Sequence, residues 1–271
     1  MSLLNKIFSK WEQWSGRNHF SPLLSLYVNL RLLPFRQAVK MPIYVYGRPH
    51  LMDLAGRVKF TCRVRRGLVR LNVVDLTPAP RGSRLELAIR GTVIFGGEAL
   101  IRSNTKVYVD NVATMTVGHG LRMGAGCILN CLHRIEIGEG VRIGHRSQIM
   151  DNNSHFVLNA ATGVVPTLRK RVQIGSHSWL TNSVTVYGGG VIPPYSIVVS
   201  GTVVNKDLSA LGRDNIIGGA PARSLANGMR LVNNYRKERE INEFYIQNPE
   251  GRYRAEPPYA EEEWFVNPAD K

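Results

Sequence analysis

Cysteine is scarce in this chain of 271 residues, which contains only Cys62, Cys127 and Cys131. An odd and small number of thiols excludes a disulfide-stapled secreted scaffold and favours a reducing compartment. Apolar runs are also short. None reaches the ~18 consecutive apolar residues of a membrane-spanning helix, and the first residues lack the apolar core of a signal peptide. These absences predict a cytoplasmic protein.

Motifs for phosphate and metal binding are missing too. The sequence has no Gly-Lys dipeptide and therefore no P-loop. Cys127, Cys131 and His133 lie close together, but a structural zinc site needs four ligands and no second pair is apparent. We therefore expect no bound metal.

Acidic residues are few, with 20 Asp plus Glu against 35 Lys plus Arg, which gives a net charge of +15. The excess is concentrated in residues 1–90, which hold 16 basic and 4 acidic side chains. Such a surface attracts anionic partners, for example phospholipid headgroups or a phosphorylated substrate. Improved solubility is the simpler explanation. Nucleic acid, for which charge is the only argument, is not an expected partner.

A repeat of six residues runs through the middle of the chain. Aliphatic residues recur at this spacing in one long series, at Ile174, Leu180, Val186, Ile192, Val198 and Val204. Small or β-branched residues follow four positions later, at Ser178, Val184, Gly190, Ser196 and Thr202. Three upstream series have the same spacing: Ile137, Ile143, Ile149; then Val117, Met123, Leu129, Ile135; and, more faintly, Phe95, Ile101, Val107. This period is neither the 3.6 residues of a helical turn nor the alternation of a simple strand.

A chain that turns a corner every six residues accounts for this period. Three short strands then form one triangular coil of about 18 residues, and successive coils stack at a strand spacing of about 4.8 Å. The aliphatic side chains fill the inside of the prism, and small residues occupy the crowded corners. The alternative is a β-sandwich with evenly spaced turns.

The chain resembles the hexapeptide-repeat acyltransferases, and the resemblance rests on four segments. They are IEIGEGVRIG (135–144), VQIGSHSWLTNSVTV (172–186), SGTVVNKD (200–207) and GGAPARSL (218–225). The stretch from Val117 to Leu225 is similar to the sugar and serine O-acetyltransferase branch. This resemblance implies a mainly β fold, a left-handed parallel β-helix of hexapeptide repeats, assembled as a homotrimer.

The chain divides into three predicted regions. Residues 1–42 form an N-terminal amphipathic helical segment. It caps the first coil or contacts an anionic membrane surface as an interfacial helix, and the two roles are compatible. Residues 43–212 form the β-helix, with irregular early coils over 43–92 and a loop excursion over 156–171. Residues 213–271 form a C-terminal helix, predicted over 224–247, and an extended arm.

His155 stands where the six-residue series predicts an inward residue, directly before the loop excursion. In the resembling acetyltransferases, a histidine at this point is the general base, which implies this role for His155. Asp151 or Asn153 would orient its imidazole and fix the tautomer. A buried structural histidine is the alternative role.

Acetyl-CoA is the acyl donor that the resemblance implies. The positions that contact coenzyme A in the resembling family correspond in this sequence to Asn182 and Ser200, which are one coil apart, and to Asn205 and Lys206. Arg223 or Lys206 would meet the phosphates. Trp179 matches a recurrent tryptophan of the family that packs against the pantetheine arm or the acceptor, and packing at a subunit interface is its alternative role.

The function that follows is acetyl-CoA-dependent O-acetyl transfer to a carbohydrate hydroxyl of a surface polysaccharide or its lipid-linked precursor. Gly126 stands where maltose and galactoside acetyltransferases carry an asparagine, which argues against a simple free sugar as acceptor. One alternative is an N-acyltransferase for an amino sugar or an aminated antibiotic. The other is a non-catalytic β-helix that serves as a scaffold.

Overall fold

The computed structural model describes residues 19–74 and 84–266, and residues 1–18 of the predicted N-terminal segment lie outside these ranges. Within them the chain forms strands β1–β22 and four α-helices. The helices are α1 (Pro22–Leu32), α2 (Phe35–Ala38), α3 (Tyr235–Gln247) and α4 (Glu261–Trp264), and a 3₁₀ turn covers Ser209–Leu211.

The strands form three sheets, because each strand pairs with the strands one coil before and after it. The first wall consists of β1 (Ile43–Val45), β4 (Val69–Val73), β7 (Ala99–Arg102), β10 (Leu121–Met123), β13 (Arg142–Ile143), β16 (Trp179–Leu180), β19 (Ile197–Val198), β21 (Asn215–Gly218) and β22 (Arg223–Asn227). The second wall consists of β2 (His50–Asp53), β5 (Glu86–Ile89), β8 (Lys106–Val109), β11 (Ile128–Cys131), β14 (Gln148–Met150), β17 (Thr185–Val186) and β20 (Val203–Val204). The third wall consists of β3 (Arg57–Phe60), β6 (Thr92–Phe95), β9 (Thr114–Val117), β12 (Arg134–Ile137), β15 (Arg171–Ile174) and β18 (Val191–Ile192).

The core of the prism is the six-residue aliphatic series. Every member of the four series is buried, and like positions stack on one another: Leu129 pairs with Val107 in the coil before and with Ile149 in the coil after. Among the strands of the described residues, the pairings are parallel except that of β21 with β22, which is antiparallel. The prediction of a mainly β fold, a parallel β-helix of hexapeptide repeats, is confirmed.

The corners explain the second series of small residues. The Ser178 side chain is 1% exposed, and its Oγ donates to the Pro193 carbonyl at 3.0 Å, within the turn of the next coil. Gly138 allows a close approach, because a Cβ there would lie 2.5 Å from the backbone nitrogen of Ser176. A larger side chain at either position would force neighbouring coils apart.

The coils of residues 43–92 follow the same three-wall course. Their irregularity includes register shifts between Leu51 and Asp53 and between Leu71 and Val73, and a long connection between β3 and β4. The excursion from the prism is slightly longer than predicted. The chain leaves the second wall after Met150 and joins the third wall again at Arg171.

Helix α1 covers the open edge of the first coil with two polar side chains. The Asn29 amide donates to the Ile43 carbonyl at 2.7 Å, and its Oδ1 accepts from the Ile43 N–H at 3.1 Å. The Val45 N–H donates to the Ser25 hydroxyl at 2.9 Å. Ser25 and Asn29 therefore replace a neighbouring strand for β1, so the capping role of this segment is observed. Among the described residues, no helix has the length and apolar character needed to cross a bilayer.

The C-terminal region differs from the predicted helix and extended arm. The predicted helix over 224–247 is wrong in its first half, because Arg223–Asn227 pairs with β21 and continues the first wall; α3 begins only at Tyr235. The arm folds back: Trp264 and Phe265 are buried, and the Phe265 ring lies 4.8 Å from the Arg230 guanidinium. Arg230 in turn pairs with Asp214, at 2.5 and 2.9 Å, which anchors the arm to the last coils.

Replacing Asn29 by alanine should destabilise the fold. The Ile43 N–H and carbonyl would lose their partners inside the cap, which costs about 1–3 kcal/mol of unfolding free energy. Urea unfolding followed by circular dichroism, at fixed protein concentration, measures this change. Leu23→Ala, on the same helix at a side chain that is 82% exposed, is the matched control and should stay within about 0.5 kcal/mol of the wild type. Equal stability of the Asn29→Ala and Leu23→Ala variants would contradict the capping role.

Candidate functional site

The excursion leaves the prism at a corner that is organised by a buried carboxylate. Asp151 is 0% exposed. Its oxygens accept from the backbone N–H groups of residues 132, 133 and 134 at 2.9, 2.7 and 2.7 Å, and from the Asn152 amide at 2.7 Å. This satisfies a carboxylate buried away from water. The predicted contact between Asp151 and His155 is not observed, because the carboxylate is committed to the preceding coil.

A short chain of hydrogen bonds leads from Asp151 toward His155. The Asn152 amide donates to Asp151, and its own Oδ1 accepts from the N–H and hydroxyl of Ser154 at 2.9 and 3.1 Å. Ser154 has a φ of 62°, in the left-handed region that L-residues rarely adopt. The buried corner thus sets the backbone conformation directly before His155.

A cavity of about 440 Å³ opens between this corner, the excursion loop and the two following coils. Its polar lining comes from Asp151, Asn152, Asn153, Thr167, Lys170, Tyr187 and Asn205. Val157, Pro166 and Leu168 of the loop supply apolar surface. The cavity therefore combines amide groups, a phenol and one ammonium group with an apolar side.

In the sequence His155 stands between Asn153 and Val157, two residues that line this cavity; its own side chain is exposed and is not part of the lining. An exposed imidazole is accessible to a bound molecule, whereas the alternative role required burial. The buried structural histidine is therefore wrong for this position. Asn153 is also exposed, and it lines the cavity that Asn205 reaches from two coils further along.

The other predicted donor-binding residues lie elsewhere on the prism. Asn182 and Ser200 occupy equivalent positions in successive coils, at the corner between the first and second walls. The Asn182 Oδ1 accepts from the His145 N–H at 3.0 Å, and the Ser200 hydroxyl lies 3.1 Å from that of Thr181. Trp179 belongs to the adjoining first wall, in register with Arg142 and Ile197.

Two cationic residues complete the predicted set. Lys206 is exposed and follows cavity-lining Asn205, at the corner between the second and third walls. Arg223 is exposed at the start of β22, on the end of the first wall. Within one protomer the nine predicted residues therefore fall into two groups. One group lies at the corner where the excursion begins: Asp151, Asn153, His155, Asn205 and Lys206. The other group belongs to the first wall or to its corner with the second wall: Trp179, Asn182, Ser200 and Arg223.

Lys170 and Tyr187 were missed by sequence reasoning. Tyr187 stands one coil of 18 residues before Asn205, so the repeat itself places both at one corner. Lys170 is the last loop residue before β15. The spacing of the repeat was the signal for Tyr187, but the closing position of a long loop has no comparable signal.

Three of the histidines outside this corner have structural partners. The His119 Nδ1 accepts from the Glu98 N–H at 3.1 Å, and the His145 Nδ1 accepts from the Ala125 N–H at 3.1 Å, one coil earlier in each case. The His177 ring stacks on Tyr195 with centroids 4.8 Å apart. These side chains stabilise corners. Among the described residues, there is no cluster of three or more histidine, cysteine or acidic side chains suited to a metal ion.

The fold was compared with known proteins. No family model matches the chain, and no curated protein matches its sequence. Among solved structures, it aligns with the polysialic acid O-acetyltransferase OatWY over 70% of this chain and 84% of that one, with 22% identity and a TM-score of 0.38. It aligns with a maltose O-acetyltransferase from Clostridium difficile 630 over 65% and 70%, with 16% identity and a TM-score of 0.36. The N-acyltransferase AntD from Bacillus cereus aligns over 78% and 89%, with 14% identity and a TM-score of 0.39.

The chain is similar to hexapeptide-repeat acyltransferases. This is the family that its sequence motifs resemble. At such identities and TM-scores, the likeness does not transfer an activity, an acceptor or an assembly to this protein.

The burial of Cys127 and Cys131 predicts which of the three thiols react with a reagent in solution. Burial raises the pKa of Cys127 to about 11. Burial, and next the neighbouring Asp151 carboxylate, raise the pKa of Cys131 still further. Because the thiolate is the reactive form, a disulfide reagent such as DTNB at pH 8 should modify half-buried Cys62 in the folded protein and leave the other two thiols intact until unfolding.

Asp151→Ala should leave three backbone N–H groups without an acceptor and open the corner, which would expose Cys131 to the reagent. Asn153→Ala, at an exposed neighbouring position, is the matched control and should leave the thiol count unchanged. Rapid reaction of three thiols in the folded wild type would contradict the buried corner.

Proposed function

We propose that this protein is an acetyl-CoA-dependent O-acetyltransferase that acts on a carbohydrate hydroxyl, with His155 as general base. The observation that carries the proposal is the position of His155: its exposed imidazole follows the Asp151 corner and stands, in the sequence, between Asn153 and Val157, which line the cavity. A carbohydrate of a surface polysaccharide, or its lipid-linked precursor, is the acceptor that the sequence resemblance favours.

The chemistry requires a base because a sugar hydroxyl does not ionise near neutral pH. A neutral imidazole within hydrogen-bond reach can take the hydroxyl proton as the new C–O bond forms, which contributes about 10²–10⁴-fold to the rate. Asn152 and Asp151 act as positioning residues, since their hydrogen bonds fix the backbone before His155. The amides of Asn153 and Asn205, with Lys170, offer the acceptor polar partners in the cavity.

The thioester supplies an activated acyl group when it is bound. Negative charge develops on the acyl oxygen in the transition state, and a preorganised N–H donor near His155 would stabilise it. The residues proposed to hold coenzyme A fit its chemistry: Lys206 and Arg223 provide exposed cations for phosphates. Ser200, Asn182 and Trp179 provide hydroxyl, amide and ring surface along two coils.

A homotrimer is the assembly that this division of residues favours. Residues proposed for one donor site occupy two corners of a single prism, so neighbouring copies would have to bring them together. The excursion loop also presents exposed apolar side chains, namely Phe156, Val157, Leu158, Val164 and Val165. A second copy would remove this apolar surface from water. The peripheral membrane contact expected from the sequence would require a different surface, the N-terminal cap.

His155→Ala should lower the turnover number by about 10²–10⁴-fold, because the proton acceptor is lost, while coenzyme A binding is unchanged. Thioester cleavage is measured with carbohydrate acceptors and with amino-sugar acceptors, and binding is measured by calorimetry. His50→Ala, at an exposed histidine in β2, is the matched control. Equal rates for wild type and His155→Ala would remove His155 from the mechanism.

The acceptor panel in the same experiment separates the alternatives. Turnover with amino sugars alone would favour N-acyl transfer. Absence of both turnover and coenzyme A binding would favour a scaffold.

Lys206→Ala and Arg223→Ala should each weaken coenzyme A binding by about tenfold, because a charge-assisted contact to phosphate is lost. S-acetyl-pantetheine, which lacks the phosphates, provides the internal control: its apparent KM should be the same for the wild type and both variants. Arg239→Ala, at an exposed arginine of α3, should change neither value. A similar loss with both donors would contradict phosphate recognition by these residues.

A further inference from the structure

Helix α1 has an unusual distribution of polar and apolar residues. Its buried face, Ser25, Val28, Asn29 and Leu32, includes the two polar side chains that bond to β1. The opposite face consists of Leu23, Leu26, Tyr27 and Leu30, which are 82%, 40%, 49% and 46% exposed. We call these four residues the outer stripe. Their spacing of three and four residues is that of a continuous helical face.

The outer stripe is the more apolar side of helix α1, and the opposite side of this helix already packs on β1. A surface helix normally turns its apolar face inward. Helix α2 extends the exposed apolar surface with Phe35 and Val39, which are 72% and 51% exposed. An apolar surface of this kind on the outside of the cap indicates a partner that removes it from water.

Positive charge borders the outer stripe. Arg31, Arg36 and Lys40 are exposed, and the sequence contains no aspartate or glutamate between His19 and Met52. The first acidic residue beyond this stretch is Asp53, whose carboxylate accepts from Arg90 at 2.8 Å. We call Arg31, Arg36 and Lys40 the basic rim.

We propose that the outer stripe and its basic rim dock this protein on an anionic lipid bilayer. An amphipathic helix lies in the interface with its apolar side among the acyl chains, and cationic side chains attract anionic headgroups. Because a single apolar contact binds a membrane weakly, stable attachment needs a second signal such as a basic patch. The cap presents both on its two neighbouring helices, with Leu23, Leu30 and Arg31 on α1 and Arg36 on α2.

Charge also argues against the two other occupants of the stripe. A second copy that presented the same surface would bring two basic rims together, which repel each other. Residues 1–18 carry Lys6, Lys10 and Arg17 against Glu12, so they too would add positive charge beside the rim. An anionic surface complements the positive charge of the cap, whereas a second copy of the chain and residues 1–18 do not.

The experiment measures sedimentation of the full-length protein with two kinds of vesicle, pure phosphatidylcholine and a mixture with phosphatidylglycerol. The wild type should bind the anionic vesicles and not the neutral ones, and high salt should weaken binding. Leu23→Gln/Leu30→Gln should lower the vesicle affinity by at least roughly tenfold. Each charge removed in Arg31→Gln/Arg36→Gln/Lys40→Gln should lower it by about fivefold.

Matched controls use exposed residues of the C-terminal region. Ile246→Gln removes an apolar side chain that is 70% exposed. Arg239→Gln/Arg252→Gln/Arg254→Gln removes three exposed charges. Both should retain wild-type affinity. Circular dichroism checks the fold of every variant, and the altered side chains are exposed, so folding should persist.

Three outcomes would overturn the proposal. The first is equal binding of anionic vesicles by the wild type and the outer-stripe variant, or no binding by the wild type. The second is binding that appears only when residues 1–18 are deleted, which would make them the occupant. The third is a concentration-dependent association in solution that the Leu23→Gln/Leu30→Gln change abolishes, which would make a second copy the occupant.

Discussion

The stacking of aliphatic side chains inside a three-sided prism is the interaction on which every other feature depends. Each coil contributes inward residues to every wall, and parallel pairing places them directly over their equivalents in the coils before and after. Removing such side chains from water provides the main stabilisation. Because the register is repeated, an outward residue on any coil is also aligned with its equivalents one coil away. The packing that stabilises the prism thereby also aligns polar residues into a site.

The start of this stack and the excursion after Met150 need polar side chains that the repeat itself does not supply. At the first coil, Ser25 and Asn29 replace a missing strand with side-chain hydrogen bonds. At the excursion, Asp151 satisfies three N–H groups of the preceding coil. A buried unpartnered backbone group is costly, so both places use a side chain of fixed geometry. The cavity opens at the same corner, so Asp151, which satisfies these N–H groups, also borders the candidate functional site.

The sequence was informative where a structure repeats and much less where it does not. The six-residue spacing predicted the walls, the core and the alignment of Asn182 with Ser200, because one local rule is obeyed many times. The role of Asp151 was not predictable, since its partners at 132–134 become neighbours only after two coils have stacked. The same is true of the arm: Trp264 and Phe265 are buried against groups, such as Arg230, that are distant in sequence from them. Isolated long-range contacts leave no period in a sequence.

The strand spacing also sets the distance between the cap and the cavity along the prism. Strand β2 begins the second wall near the cap, and β14, which ends at the excursion corner, is the fifth strand of that wall. Four spacings of about 4.8 Å separate them by roughly 20 Å along the prism. A docked cap would therefore hold His155 at a defined distance from the lipid surface. A carbohydrate attached to a lipid anchor would then reach the cavity only if its polar part spans that distance, so the number of coils between cap and excursion would itself select the acceptor.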